Sequence, residues 1–182
     1  MQSLTSKRYT CGHCGNIVAS SLGYFTQPNM QEQIHICPNC NKPTYFDDYG
    51  HSLPGVAFGN EVASVPSEIA VLYKEARVCT SAAAYTASVL LSRKLLMNIA
   101  VGLGAEAGKP FISYVEYLAT SGYVPPNGKG WVDHIRKKGN EATHEIVIMS
   151  EHDAQELISF LEMLLKFIYE FPSKIPPSSP AP

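Results

Sequence analysis

The chain has 182 residues, of which 45% are hydrophobic and 16% are charged, and its formal net charge is −2 at pH 7. This composition is typical of one or two folded domains with an apolar core, and it excludes an intrinsically disordered chain. The near-neutral charge argues against a general nucleic-acid binder, which usually carries a basic surplus, so any contact with a polyanion must be local.

The apolar stretches of the chain predict neither a signal peptide nor a membrane span. Residues 1–10 contain no apolar run, and a signal peptide needs one. The most apolar stretch, 82–104, carries Arg93 and Lys94 near its middle, where charged groups are costly inside a bilayer. We interpret this stretch as a buried helix and expect a cytoplasmic protein that does not engage a membrane.

Four of the five cysteines form two Cys-x-x-Cys pairs in the first part of the sequence. Two such pairs can supply four thiolates to one tetrahedral zinc ion. Gly12 and Gly15 permit the tight turns that direct the sulfur atoms toward one point. The pattern predicts one structural Zn²⁺ per chain, and the alternative is two unrelated thiol pairs. The predicted ligands are Cys11, Cys14, Cys37 and Cys40.

Two histidines and the fifth cysteine are expected to play other roles. His13 and His35 lie close to the cysteine pairs in sequence. Because four cysteines already complete a zinc shell, we expect these histidines at the surface or beside the ligands rather than on the metal. Cys79 falls within a helical pattern and is predicted to be a small buried apolar residue.

Residues around the cysteine pairs favour short β-strands, because β-branched and aromatic residues cluster there between turn residues. Residues 1–48 are therefore predicted to form a small β zinc ribbon. The next stretch, 49–66, contains several Gly and Pro residues and keeps no period, so it is predicted to be a linker. The predicted strand segments are 17–18, 24–26, 34–36 and 43–46.

Apolar residues recur at helical spacing over the predicted helical domain, 67–171, which makes the fold class mainly α. The first helix is expected to begin near Ser67, a second to start at Thr80 or Ser81 and cover 82–101, and a third to begin near Pro110. A fourth is predicted over 129–138. The tail, 172–182, is rich in Pro and Ser and is predicted to be disordered.

The last helix is predicted over 151–169, with Ser150 and Asp153 as a capping box at its start. It carries apolar residues on two sides, and such a helix is either central in its domain or shared with a second subunit. We therefore predict a homodimer through the helical domain. The second apolar side would contribute Phe160, Met163 and Phe167.

The stretch 133–144 gathers two histidines and three consecutive cations. An Arg can hold a phosphate bidentately, and a His can transfer a proton near neutral pH. The alternative is structural: Gly139 ends a helix and the neighbouring lysines complement its negative end. The candidate catalytic residues are Arg136, Asn140 and His144, and the candidate phosphate-binding residues are Lys129, Arg136, Lys137 and Lys138.

Several motifs in the second part of the chain carry a resemblance to a known family. They are Pro66-Ser67-Glu68-Ile69, Arg93, Ile135-Arg136-x-x-Gly139-Asn140-x-Ala142-x-His144, and Glu151-x-Asp153-Ala154. Over about 65–171, the chain resembles the bacterial and phage domain-of-unknown-function family that occurs alone or appended to type I restriction subunits. That family resembles a branch of the HEPN superfamily. The resemblance implies an HEPN-like helical bundle associated with nucleotide binding, RNA cleavage or anti-phage conflict, and a short cysteine knuckle often precedes it.

Two classes of function follow from these patterns. The first is a zinc-ribbon and HEPN-like module that binds RNA, DNA, a nucleotide or a partner protein of a defence system. The second is a metal-independent endoribonuclease in which His144 is the general base, Arg136 stabilises the developing charge and Asn140 orients the phosphate. Catalytic HEPN domains are expected to carry the Arg and the His closer together than the seven intervening residues found here. We therefore expect binding rather than catalysis.

The ribbon itself contains residues suited to contact nucleic acid. Cationic and aromatic side chains can touch the sugar-phosphate backbone and base faces. The alternative is that the aromatic residues complete the core of a very small domain. No phosphate-cradling loop is predicted, because Gly102 and Gly104 lack a following P-loop lysine. The candidate contact residues are Lys7, Arg8, Tyr9, Tyr24 and Phe25.

Overall fold

The computed structural model describes residues 1–27, 31–125, 130, 132, 135 and 148–175. These residues form two compact units. The first, called the β unit, consists of Met1–Phe58 and Val78–Ala84. The second, called the helical unit, consists of Gly59–Arg77 and the described residues after Ala84. Among the described residues, none of the helices combines the length and the hydrophobicity that a membrane crossing requires.

The β unit is built on one antiparallel sheet whose strands neighbour one another in chain order. The strands are β1 (Gln2–Thr10), β2 (Ile17–Phe25), β3 (Gln33–Ile36), β4 (Pro43–Phe46) and β5 (Ser52–Leu53). The predicted segments at 34–36 and 43–46 are confirmed as β3 and β4, and the two at 17–18 and 24–26 belong to the single strand β2. Strands β1 and β5 were not predicted, because β1 is mostly polar and β5 has only two residues, so neither shows a clear alternation of apolar residues.

The stretch 49–58, within the predicted linker, is held in the β unit by hydrogen bonds. The Gly55 backbone N–H donates to the Ser81 carbonyl at 3.0 Å. The Phe58 N–H donates to the Thr80 hydroxyl, also at 3.0 Å. A Gly- and Pro-rich composition removes helix and strand periodicity, but it does not prevent a segment from pairing its backbone with a folded neighbour.

An aromatic cluster forms the core of the β unit. The ring of Tyr9 lies 5.0 Å from that of Phe46, and the ring of His35 lies 5.6 Å from that of Phe46. His35 is fully buried. Its Nδ1 is 3.0 Å from the Ser20 carbonyl oxygen, and its Nε2 is 2.9 Å from the side-chain amide oxygen of Gln33.

The burial of His35 contradicts the surface position, one of the two alternatives expected for this residue. A hydrogen bond from the Nδ1–H to the Ser20 carbonyl and the nearby Gln33 amide offset the cost of removing the imidazole from water. Burial lowers the pKa of His35, because a charged ring would lose its hydration. The neutral ring therefore serves as a core side chain. Tyr9 is likewise buried. This agrees with the alternative in which aromatic residues of the ribbon complete its core instead of contacting nucleic acid.

Among the described residues, the main helices of the helical unit are 10 to 18 residues long. The helices are α1 (Ser67–Ser81), α2 (Tyr85–Gly102), α3 (Phe111–Thr120) and α4 (Glu151–Leu165), followed by a π-helical segment (Lys166–Glu170) and a short α-helical segment (Phe171–Ser173). Pro172 and Ser173, in the tail predicted to be disordered, are therefore helical. The last four residues of α1 belong to the β unit. Gly130, Val132 and Ile135 are also helical. A helical domain with an N-terminal β part is thus confirmed in coarse form.

Helix α2 packs against α3 and α4 and forms the centre of the helical core. Leu95, Ile99 and Val115 are fully or almost fully buried there, which removes their apolar surface from water and provides the main stabilisation. On α4, Phe160 is also fully buried. Phe160 therefore lies in the core, and the predicted second apolar side of this helix is narrower than the sequence pattern suggests.

Helix ends follow the local chemistry, with one exception. The capping box is confirmed: the Ser150 hydroxyl accepts from the Asp153 N–H at 3.2 Å, and the Asp153 carboxylate accepts from the Ser150 N–H at 2.9 Å. Thr80 and Ser81, however, end α1 rather than start α2. The break is at Ala83, whose φ of 54° is in the left-handed region and stops a right-handed helix.

Candidate metal centre

The first cysteine pair is held in a tight turn between β1 and β2. The Cys11 N–H donates to the Asn16 carbonyl at 2.9 Å, and the Gly15 N–H donates to the Cys11 carbonyl at 2.8 Å. Gly15 has a φ of 70°, a conformation that glycine adopts without steric cost. The predicted role of Gly15 in turning the chain is therefore supported by its backbone geometry.

The second cysteine pair repeats this turn between β3 and β4. The Cys37 N–H donates to the Lys42 carbonyl at 3.0 Å, and the Asn41 N–H donates to the Cys37 carbonyl at 2.9 Å. Asn41 takes the place of Gly15 and has a φ of 57°. Asn tolerates this left-handed conformation better than most residues with a side chain. The two turns thus present their cysteines in the same local geometry.

Gly12 is required for a different reason from the one inferred from sequence. A Cβ atom at Gly12 would lie 2.3 Å from the carbonyl oxygens of both Pro54 and Gly55. These are rigid backbone atoms, so no side chain can be accommodated without moving the chain. The segment around Pro54 therefore packs directly on the first cysteine turn.

The four sulfur atoms come together at one point. The Cys11 and Cys40 Sγ atoms are 3.8 Å apart, and so are those of Cys14 and Cys37. All four lie within 4.8 Å of one another. Two sulfurs bound to one zinc ion at about 2.3 Å in tetrahedral geometry are separated by about 3.8 Å. The arrangement is therefore compatible with a zinc site, and each short distance joins one turn to the other.

The electrostatics of the cluster also suit a cation. Cys11 and Cys37 are fully buried, and buried thiolates are costly unless a positive charge balances them. Hydrogen bonds from the backbone and side chain of Asn16, and from the Asn39 side chain 3.6 Å from the Cys14 sulfur, lower the pKa of Cys14. The Lys42 backbone lowers the pKa of Cys40, but burial and the hydrogen bonds with the other three sulfurs outweigh it and raise that pKa. A divalent ion would neutralise this set of donors.

The other candidate ligands lie outside the four-sulfur cluster. His13 is exposed, and its Nε2 is 3.0 Å from the Pro43 carbonyl oxygen. Cys79 is half-buried in α1 rather than fully buried. His152, Asp153 and Glu156 have ligand atoms close together at the start of α4, but Asp153 already caps that helix. Four cysteines are thus the best-supported donor set among the described residues.

The predicted catalytic and phosphate-binding residues lie outside the described residues. Their roles therefore stay predictions. They are Lys129, Arg136, Lys137, Lys138, Asn140 and His144.

Arg93, one of the residues that carry the family resemblance, is a half-buried side chain of α2. Its guanidinium carbon lies 4.5 Å from the centroid of the Phe111 ring. Burial lowers the pKa of Arg93, and stacking on an aromatic face is a common environment for a partly desolvated guanidinium. This environment explains Arg93 as a packing residue of the helical unit.

A second feature of the β unit is an apolar row on the sheet face opposite the aromatic core. Directly paired residues of an antiparallel sheet point to the same face. The strand register pairs Tyr24 with Ile34, Ile34 with Tyr45, and Tyr45 with Leu53. We call these four residues the outer row. Tyr24 is 49% exposed and Leu53 is 55% exposed.

Tyr24 is the only residue of the outer row that was predicted from the sequence to contact a ligand. The signal was present in β4, where the adjacent residues Tyr45 and Phe46 are both aromatic. One of these two must face away from the core, because side chains alternate between sheet faces. Only the register shows that the outward residues align across four strands.

Comparison with known proteins places the helical part of the chain in a family. The family described as "Domain of unknown function (DUF4145)" matches residues 74–178. No curated protein and no solved structure matches the chain.

Proposed function

The chain belongs to the DUF4145 family, and from this premise we propose that it is a non-catalytic binding module of a bacterial or phage defence system. In this proposal a zinc ribbon and an HEPN-like helical bundle together engage a partner protein. The observation that carries the proposal is the outer row, in which Tyr24 and Leu53 are exposed and Ile34 and Tyr45 are half-buried. Apolar residues that line up at the surface of a small domain are typical of an interaction surface.

We propose that the four cysteines hold one Zn²⁺ per chain and that the metal is structural. Four thiolates fill a tetrahedral shell and leave no open position for a substrate. When bound, the ion would cross-link the two cysteine turns and so fix the strands that follow them. Zinc would therefore stabilise the sheet that displays the outer row.

The charge of the β unit favours a protein over a nucleic acid as the partner. Residues 1–58 contain three Lys or Arg residues and three Asp or Glu residues. Nucleic-acid binding depends on a local surplus of cations that displace counterions from the phosphates. Of the cations, Lys7 lies 4.1 Å from the centroid of the core residue Phe46. A nucleic-acid partner is thus the less supported form of the same binding function.

The alternative proposal is a metal-independent endoribonuclease that uses Arg136, Asn140 and His144. The motif around these residues resembles HEPN domains, and this resemblance is the observation in its favour. The seven residues between Arg136 and His144 depart from the catalytic spacing. Loss of RNA cleavage in a folded His144→Ala variant would support the enzyme over the binding module.

Tyr24→Ala is expected to weaken binding of a selected peptide ligand by about tenfold or more, since exposed aromatic anchors dominate interface energies. Random peptides displayed on phage would be selected on the full chain, and the enriched peptides measured by fluorescence anisotropy. Ile17→Ala is the matched control, because Ile17 is 65% exposed on the same strand but outside the outer row. Peptides that bind Tyr24→Ala as tightly as the unmodified chain would contradict the proposal.

We also propose a homodimer through the helical unit. Phe167 and Phe171 are exposed apolar residues on the π-helical segment and the short α-helical segment after it, and Met163 is half-buried beside them. Light scattering is expected to give twice the chain mass of 19.9 kDa. Phe167→Glu should yield a monomer, because a charge in an apolar interface is costly.

The control for the dimer is Val71→Glu, which places the same charge at an exposed apolar position of α1. This variant should remain dimeric. A monomer at micromolar concentration for the unmodified chain, or dissociation by Val71→Glu as well, would count against this interface.

A further inference from the structure

The outer row borders a shallow groove on the β unit. The groove is lined by Tyr24, Ile34 and Tyr45 together with Glu32. It therefore combines two phenol rings, an aliphatic side chain and a carboxylate on one face of the sheet. Such a combination can distinguish one class of partner from another, because the rings accept many apolar groups whereas the carboxylate selects for charge.

The carboxylates around the outer row are close enough to act on Tyr45. The Tyr45 hydroxyl donates a hydrogen bond to Glu32, and this bond, burial of the phenol and the charges of Glu32, Asp47 and Asp48 raise the pKa of Tyr45. The Glu32 carboxylate that accepts this bond places a negative charge beside Tyr45, whereas the Asp47 carboxylate already lies 2.9 Å from the His51 Nδ1. The apolar row is thus flanked by negative charge.

Resting on the proposed binding function, we infer that the outer row is a docking surface for a Lys- or Arg-bearing segment of the partner protein. The cation would lie over the ring of Tyr24 or Tyr45 and near Glu32. Apolar side chains of the same segment would cover Ile34 and Leu53. The partner segment would therefore be positively charged and partly apolar.

Two contributions combine to favour a cationic segment. A cation over a tyrosine face is attracted by the ring quadrupole, and this attraction increases when the site is partly shielded from water. The carboxylates add a longer-range attraction that speeds encounter and falls with salt. A phosphate backbone would meet the same carboxylates as like charges, so RNA and DNA are disfavoured at this face.

The surface of the row sets a second requirement on the partner. Leu53 lies at the β5 edge of the sheet and is more than half exposed. A purely cationic peptide would leave this leucine and Ile34 in water. An extended segment with a cationic residue two positions from an aliphatic one covers both, because side chains two residues apart in an extended chain project to the same face.

Random dodecapeptides displayed on phage are the probe for this inference. Selection on the zinc-loaded full chain is expected to enrich peptides with Lys or Arg two positions from an aliphatic residue. An enriched synthetic peptide should bind Glu32→Lys about tenfold more weakly, because an attractive charge contact becomes repulsive. Selection repeated on Glu32→Lys should shift the enriched peptides toward Asp and Glu.

Glu61→Lys is the matched control, since it makes the same charge change at an exposed residue of the helical unit. It should leave the affinity unchanged. Enriched peptides without a cationic bias, or equal binding to Glu32→Lys and the unmodified chain, would overturn the inference of a cationic partner. The proposed binding function would still be supported if those peptides bound through Tyr24. Failure to enrich any Tyr24-dependent peptide would overturn both, and Tyr24-dependent binding of a labelled RNA would assign the row to nucleic acid instead.

Discussion

Cys37→Ser is expected to release the metal and unfold the β unit while the helical unit stays folded. Cys37 is fully buried, and its sulfur lies 3.8 Å from that of Cys14. A domain below about 70 residues gains only ~3–5 kcal/mol from its apolar core. Structural zinc contributes about 10–16 kcal/mol to the folding of zinc-finger peptides, so losing one of four ligands should remove most of the stability of the β unit.

Two measurements test the Cys37 prediction. Elemental analysis of protein purified without chelator should give one zinc per unmodified chain and much less for Cys37→Ser. Hydrogen exchange should show loss of amide protection in β2, β3 and β4, with protection retained in α2 and α4. The separate response of the two parts is expected because each forms its own compact unit.

The matched control for this prediction is Cys79→Ser, which makes the same chemical change outside the four-sulfur cluster. Cys79 is half-buried in α1, so its variant should keep zinc and the protection of the sheet. A Cys37→Ser protein that lost its metal but kept full protection in the sheet would refute the structural role of zinc. Loss of zinc from Cys79→Ser would refute the assignment of the ligands.

Glu162→Ala is expected to destabilise the helical unit by ~1.5–3 kcal/mol, the range for hydrogen bonds to a charged group. The Glu162 carboxylate on α4 accepts from the Asn60 backbone N–H at 2.8 Å and from the Asn60 side chain at 3.0 Å, and Lys166 donates to it as well. The Tyr73 hydroxyl on α1 donates to the Asn60 carbonyl at 3.0 Å. Glu162 therefore joins the segment around Asn60 to α4, and Tyr73 joins the same segment to α1.

The effect of Glu162→Ala should depend on pH. Burial by itself would raise the pKa of Glu162, but hydrogen bonds from Lys166 and Asn60 lower it below the ordinary glutamate value. A carboxyl with a depressed folded-state pKa stabilises the protein above its unfolded-state pKa. That stabilisation is lost as the pH falls through the folded-state value. The difference between Glu162→Ala and the unmodified chain should be full at neutral pH and disappear in acid.

Urea unfolding followed by circular dichroism at several pH values measures this difference. Glu61→Ala is the control, because this substitution also replaces a glutamate by alanine and Glu61 is exposed next to Asn60. It should alter the free energy of unfolding by no more than about 0.5 kcal/mol, as most surface substitutions do. A Glu162→Ala effect that is equal at neutral and acidic pH would show that packing, rather than the carboxylate charge, is responsible.

The sequence by itself determined the features that rest on neighbouring residues. Cysteine pairs separated by two residues form similar turns wherever they occur, so the four-sulfur cluster followed from spacing alone. The capping box at Ser150 and the positions of α3 and α4 were equally predictable, because helix starts and apolar periods are set within a few residues. The motifs that indicated a domain-of-unknown-function family likewise lie in short segments.

Only the tertiary structure decided which residues of the predicted elements are inside. His35 is buried because the Ser20 carbonyl and the Gln33 amide lie against its ring nitrogens. Phe160 is fully buried on α4, the helix that packs against α2. The outer row exists only through the register of four strands, and Glu162 meets Asn60 across 102 residues of sequence. Such pairings depend on long-range packing, which has no local signal, because any apolar or polar side chain can face either way until its neighbours are placed.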